Sequence, residues 1–166
     1  LHRKGAKLVA FGVFVALALI FSYIEACIPF QIGIPGVKLG LANLVIVVAL
    51  YKMPVREVYI LSIVRVLLAG LLFGNMMSII YSLAGGLLSL TVMWALKKSP
   101  SMSLIGISIA GGVCHNLGQL LMAMLTVETY GVFSYFPILM VSGLLTGLAI
   151  GIGAREMLLR LGRLQF

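Results

Sequence analysis

Apolar runs follow one another along this chain with almost nothing between them, and that pattern limits the fold more than any motif does. Six runs stand out, at about residues 7–28, 39–52, 56–74, 76–96, 103–126 and 133–155. Crossing a bilayer as a helix takes about 20 apolar residues, so six spans use roughly 120 and leave only short loops. A soluble catalytic domain has no room in a chain of 166 residues built this way. Only 10% of the residues are charged and the mean hydropathy is +1.20, the profile of a membrane-embedded protein. The expected fold is all-α: one integral membrane domain over residues 1–166, with six transmembrane helices. The first run carries no small-residue cleavage signal and leads into further spans, so it reads as a retained helix. No internal repeat and no low-complexity tract stands out, which gives an inverted-repeat transporter no support.

The second run is short for a full span. It follows a turn-rich segment holding Pro29, Gly33, Pro35 and Gly36. A short helix beside such a loop points to a capped cavity rather than a uniform bundle. The Tyr51–Val55 connection is tight, so helices two and three form an antiparallel hairpin. Pro54 opens helix three, and Glu57 suits the positive end of its dipole.

Basic residues set the orientation. Arg3, Lys4, Lys7, Lys52, Arg56, Lys97, Lys98, Arg155, Arg160 and Arg163 fall on alternate connections and the two ends, which is ten of the twelve cations. The other side holds only Lys38, and Arg65 lies within the third run. The positive-inside rule puts both termini in the cytoplasm, with the chain in the cell membrane. The formal charge of +8 then reflects topology. No basic groove with interleaved aromatics suggests nucleic acid as a partner.

Arg65 sits among apolar neighbours from Val58 to Phe73. A charge near mid-membrane costs roughly 2.5–3.5 kcal/mol, so it requires a carboxylate, a wet cavity or an anionic ligand. Helix direction gives the other polar residues a depth. Glu25, Lys38, Asn43, Asn75, Ser78, Tyr81, Ser82, His115, Asn116 and Gln119 gather in the middle and outer half. The inner half is apolar apart from Ser62, Ser89 and Thr91. A channel is polar through its whole depth, so this one-sided distribution predicts a pocket facing outwards. Lys38, Arg65 and His115 against Glu25 suit a negatively charged ligand. Asn43, Asn116 and Gln119 supply directional hydrogen bonds, and Phe30, Tyr81 and Phe136 cover an apolar portion. Each residue also has a structural reading. Arg65 pairs with Glu25, His115 is a hydrogen-bonded core residue, Lys38 snorkels to the interface, and Asn43, Asn116 and Gln119 hold helices together.

Small residues recur at four-residue spacing: Ala6 and Ala10, Gly12 and Ala16, Gly70 and Gly74, and Gly143, Gly147 and Gly151. Such faces let helix backbones approach closely. Those on helices three and six suit internal packing. The helix-one stripe suits packing or the docking of a partner subunit. Cys27 and Cys114 lie far apart without metal-ligand spacing and read as small packing residues.

Some chemistry has no residues here. The chain contains no aspartate, and Glu25, Glu57, Glu128 and Glu156 are scattered. Magnesium-dependent diphosphate chemistry draws on clustered carboxylates. Lys98 and Ser99 lack the upstream glycines of a nucleotide-binding loop, so no ATP hydrolysis is expected of this chain. No acid is placed to orient a histidine base. No cofactor and no metal site is expected, and binding is favoured over catalysis.

Four stretches carry a family likeness: Pro35 to Asn43 (PGVKLGLAN), Arg65 to Gly74 (RVLLAGLLFG), Tyr81 to Ser89 (YSLAGGLLS) and His115 to Gln119 (HNLGQ). Together they resemble the Gx transporter family, also labelled heptaprenyl diphosphate synthase component I. That family in turn resembles the substrate-binding S components of energy-coupling factor (ECF) vitamin transporters. The resemblance implies a six-helix S-component-like bundle with an outward pocket capped by the loop after helix one. It also implies a T transmembrane subunit and two ATPase subunits as partners, docked through small-residue faces on helix one that Ala6 and Ala10 match. The sequence-level expectation is therefore a membrane component that captures a small anionic metabolite, with an isoprenoid or quinone precursor as the substrate hint. The alternatives are a non-catalytic membrane subunit of heptaprenyl diphosphate synthesis, and a structural or redox-complex membrane subunit.

Overall fold

A computed structural model describes residues 2–27, 40–128 and 130–162. Six α-helices follow in order: α1 (His2–Cys27), α2 (Leu41–Lys52), α3 (Val55–Phe73), α4 (Met76–Lys97), α5 (Leu104–Val127) and α6 (Phe136–Arg160). A 3₁₀ turn, Tyr130–Tyr135, leads into α6, and no strand occurs among the described residues. The helices coincide with the six apolar runs. The largest shifts are five residues, at the start of α1, expected at 7 and found at His2, and at the end of α6, expected at 155 and found at Arg160; α6 also starts three residues later than expected. Pro137 in its first turn fixes that start, because proline fits where no intrahelical donor is needed. The chain then stays helical to Arg160.

Among the described residues four helices are long and apolar enough to cross a membrane: Lys7–Cys27, Met76–Lys97, Leu104–Thr126 and Phe133–Arg160, the last including the end of the 3₁₀ lead-in. Large apolar side chains point outwards all round the bundle, Leu8 and Leu71 each 73% exposed among them. A soluble monomer does not carry such a surface, and a lipid-facing protein does.

α2 is the exception to this pattern. Ala42 and every residue from Val45 to Leu50 are buried, because a helix apolar on all sides belongs in the interior. It packs against α1, α3 and α6. Phe14 and Ala18 of α1, Val58 and Leu61 of α3, and Ile150 and Ala154 of α6 complete the core around it. With 12 residues it is about 18 Å long, well short of the roughly 30 Å hydrocarbon thickness. Among the described residues no central helix continues beyond the first residue of α2, and the interior there is lined by polar side chains.

Glycines set the spacing of α4, α5 and α6. A Cβ on Gly112 would lie 2.4 Å from the Gly143 carbonyl oxygen, and one on Gly118 would lie 2.8 Å from the Ala84 carbonyl oxygen. Gly147 and Gly151 approach the α5 backbone in the same way. The small residues of α6 thus face α5. Two buried hydrogen bonds lock the same pair of helices: Ser108 Oγ donates to the Gly147 carbonyl at 2.8 Å, and Asn116 Nδ2 to the Leu139 carbonyl at 2.7 Å. On α1 the sense is reversed. Ala10 is 5% exposed and belongs to the protein's own core, whereas Gly12 meets nothing within 4 Å and Ala16 is exposed. Of the two readings of the helix-one stripe, packing or docking, the burial of Ala10 matches packing at that position. The side chain of Ala6 lies outside the described residues.

The helix ends are capped individually. Asn75 and Ser78 form a capping box at the start of α4, and Ser103 Oγ accepts from Gly106 N–H at the start of α5. At the opposite end of the bundle Lys52 Nζ donates to the Leu161 carbonyl at 2.9 Å and Lys97 Nζ to the Leu50 carbonyl at 2.6 Å. These lysines cap carbonyls that a helix C-terminus leaves unsatisfied.

Candidate functional site

A cavity of about 290 Å³ opens where α2 stops, at the end of the bundle away from those lysines. All six helices contribute to it. α3 presents one face, Arg65, Val66, Ala69, Gly70, Phe73 and Gly74, at the spacing of successive helical turns. α5 adds Gly112, His115, Asn116 and Gln119; α4 adds Ser78 and Ser82; α6 adds Thr146 and Ile150. α1 brings Ser22, Glu25 and Ala26, and α2 brings Gly40 and Asn43.

Arg65 is the cation of this wall. Only 8% of it is exposed. One terminal nitrogen donates to Asn43 Oδ1 at 3.3 Å, a long hydrogen bond, and its buried Nε has no partner. A fully used guanidinium has five donors in a planar fork. The one recorded hydrogen bond leaves most of that donor capacity unused by the protein.

Glu25 lies on the same cavity but forms no ion pair with Arg65. The alternative reading of Arg65 as a bridge to Glu25 gives way to two separate arrangements: Arg65 with Asn43, and Glu25 with the amide before α2. Glu25 Oε1 accepts the amide N–H of Gly40. Gly40 precedes α2 with a left-handed backbone, φ 74°, and offers no side-chain cap. The carboxylate of α1 thus caps α2, where a negative charge complements the helix dipole.

His115 and Gln119 share one face of α5, as their four-residue spacing requires, and both line the cavity. Gly85 makes room for them: a Cβ there would lie 2.6 Å from the His115 carbonyl oxygen and 2.9 Å from Gln119 Cγ. Asn116 lines the cavity while its Nδ2 holds α6, so it serves the interhelical role as well. Asn43 likewise joins α2 to α3 through Arg65. Lys38, Phe30 and the loop Pro29–Val37 lie outside the described residues.

The aromatic wall differs from expectation. Tyr81 turns away and shares a hydrogen bond with Thr126 at 2.9 Å. Phe136 stacks on Phe133 with ring centroids 5.0 Å apart. Phe73 takes the place at the cavity, held in a tilted pair with Tyr23 at 5.3 Å. Ser22 and Thr146 are lining residues that hydropathy did not reveal. Ser22 lies three residues before Glu25 on one helical face, which was the available signal. Thr146 spends its hydroxyl on the Ser142 carbonyl of its own helix at 2.9 Å, a hydrogen bond that hides a polar residue in an apolar run.

Among the described residues no three of His, Cys, Asp and Glu gather to hold a metal. Cys27 and Cys114 are both free thiols.

The fold and the site together define a helical membrane protein with a polar cavity built around a buried guanidinium. The chain belongs to the heptaprenyl diphosphate synthase component I family, whose model matches residues 14–157. Comparison with curated proteins and with solved structures gives no match.

Proposed function

We propose that this chain is the ligand-capturing membrane component of an uptake system, built as one domain of six spanning helices with both termini in the cytoplasm. The observation that supports it is Arg65, buried in the wall of a cavity to which every helix contributes, with donors still uncommitted. A charge held at that depth without an ion-pair partner is costly unless a ligand supplies the counter-charge. Arg65 would bind an acidic group. Asn43, Gln119, His115 and Asn116 would orient the rest of the molecule. The chain encodes no energy source, so transport requires partners: a transmembrane subunit and ATPases of the energy-coupling factor type.

A second reading has its own support. The family description names a component of heptaprenyl diphosphate synthase, and a component implies the other components as partners. In that reading the chain is a membrane subunit that does not itself transfer prenyl groups, since it contains no aspartate. Crosslinking in native membranes, followed by mass spectrometry of the captured proteins, separates the two. Capture of ATPase and transmembrane subunits supports uptake; capture of a soluble prenyltransferase subunit overturns it in favour of the second reading.

A further inference from the structure

The cavity specifies its ligand further than "anionic". This inference rests on the proposed binding role of Arg65 and concerns the class of molecule bound. Two lining residues among those described carry a formal charge, Arg65 and Glu25, and they face the cavity without pairing. Arg65 has an unpartnered Nε and one long bond to Asn43. Glu25 commits one oxygen to the Gly40 amide, and a carboxylate has about four acceptor positions. The site thus holds one positive and one negative group, separated, in a bundle of low polarity.

We infer that the ligand is a compact zwitterion, with an acidic group bound by Arg65 and a protonated amine or other cationic group bound by Glu25. Charge balance carries the argument. Arg65 and Glu25 are within electrostatic reach of each other but not in contact, so a ligand with one charge of each sign leaves the loaded site neutral and gives buried Arg65 and half-buried Glu25 each an opposite partner in contact. A diphosphate would bring an excess of negative charge into a site whose described charges already cancel, and uncompensated charge in such surroundings is costly.

Size points the same way. A cavity of about 290 Å³ lies at the small end of the range of about 300–1,000 Å³ for small-molecule pockets, which suits a compact ligand. The apolar groups Val66, Ala69, Phe73 and Ile150 suit a small hydrocarbon portion between or beside the two charges.

The test uses the full chain purified into nanodiscs and matched sets of probes. Each set holds an amino acid or small betaine, the corresponding acid without the amine, and the corresponding amine without the acid. Isopentenyl and farnesyl diphosphate, with and without Mg²⁺, complete the panel. Binding is read by thermal shift and confirmed by titration. The expected result is that a zwitterion binds at least about tenfold more tightly than its acid-only and amine-only counterparts, since a site built for a polar group rejects analogues that lack it. Glu25→Gln, which keeps an acceptor for Gly40, should erase the preference over the acid-only probe. Arg65→Met should lose both, and Arg65→Lys should retain the preference at weaker affinity. Equal or tighter binding of an acid-only probe or a prenyl diphosphate, dependent on Arg65, overturns the zwitterion while leaving the anion-binding role of Arg65 standing. Absence of any Arg65-dependent binding across the panel overturns both.

Discussion

The two ends of the bundle use their cations differently. At one end Lys52 and Lys97 reach backbone carbonyls at 2.9 and 2.6 Å, and Lys97 and Lys98 lie over the rings of Tyr51 and Trp94. These ammonium groups tie helix ends together and complete their hydrogen bonding. At the other end Arg65 is more deeply buried and less well satisfied, with one bond of 3.3 Å and an idle Nε. The lysines' donors are used by the fold, whereas most of Arg65's are not. The difference teaches that charge at the first end serves the fold, and it is what motivates the proposed ligand role of Arg65 at the second.

The largest effect that breaks this comparison is at Arg65. Arg65→Met should weaken ligand binding by about 2–5 kcal/mol, the range for removing one partner of a buried charge pair. Its melting temperature should hold or rise, because a poorly satisfied buried charge is replaced by an apolar chain of similar length. Binding titration and thermal melts on one preparation check both halves. A melt that collapses instead would make Arg65 a structural cation like the lysines.

Gly112→Ala should act on the fold. Its Cβ would strike the Gly143 carbonyl oxygen at 2.4 Å, and backbone yields less easily than a side-chain tip. Overpacking of this kind costs about 1–3 kcal/mol. The matched control is Gly12→Ala, where the Cβ meets nothing within 4 Å and stability should be unchanged or slightly higher. Equal melting temperatures for the two variants would refute the close α5–α6 approach.

A smaller loss is expected from the helix caps. Asn75→Ala removes the capping box of α4 and should cost about 1 kcal/mol. Lys97→Met removes the donor to Leu50 and should cost about 1 kcal/mol as well. Ligand affinity should stay within about twofold for Lys97→Met, because about 1 kcal/mol of stability is lost at the end remote from the cavity. A marked loss of affinity there would merge the two ends that are here kept apart.

Hydropathy made the helices legible because a lipid-facing helix must be apolar over a whole span. It also made α2 legible as short, and that shortness is what leaves space for the cavity. Side-chain direction was harder to read. Ala10 and Gly12 are two residues apart and look alike as small residues, yet one is buried and the other faces out. Periodicity alone does not say which of two neighbouring stripes meets the bundle. Spacing correctly put His115 with Gln119, since both belong to one helix. It could not choose the aromatic wall, because Tyr81, Phe136 and Phe73 compete across different helices whose rotation is set by packing. Glu25 was the hardest case. A carboxylate and a buried guanidinium invite pairing, but the amide before α2 is a nearer partner, and only the fold brings Gly40 to Glu25.

The central claim is that Arg65 holds a ligand. Small molecules released on denaturing the purified wild-type and Arg65→Met proteins, quantified by mass spectrometry against protein amount, test it most directly. The account predicts a compact compound with an acidic group, near stoichiometric in the wild type and absent from the folded variant. Equal amounts in the two proteins, including none in either, would contradict it.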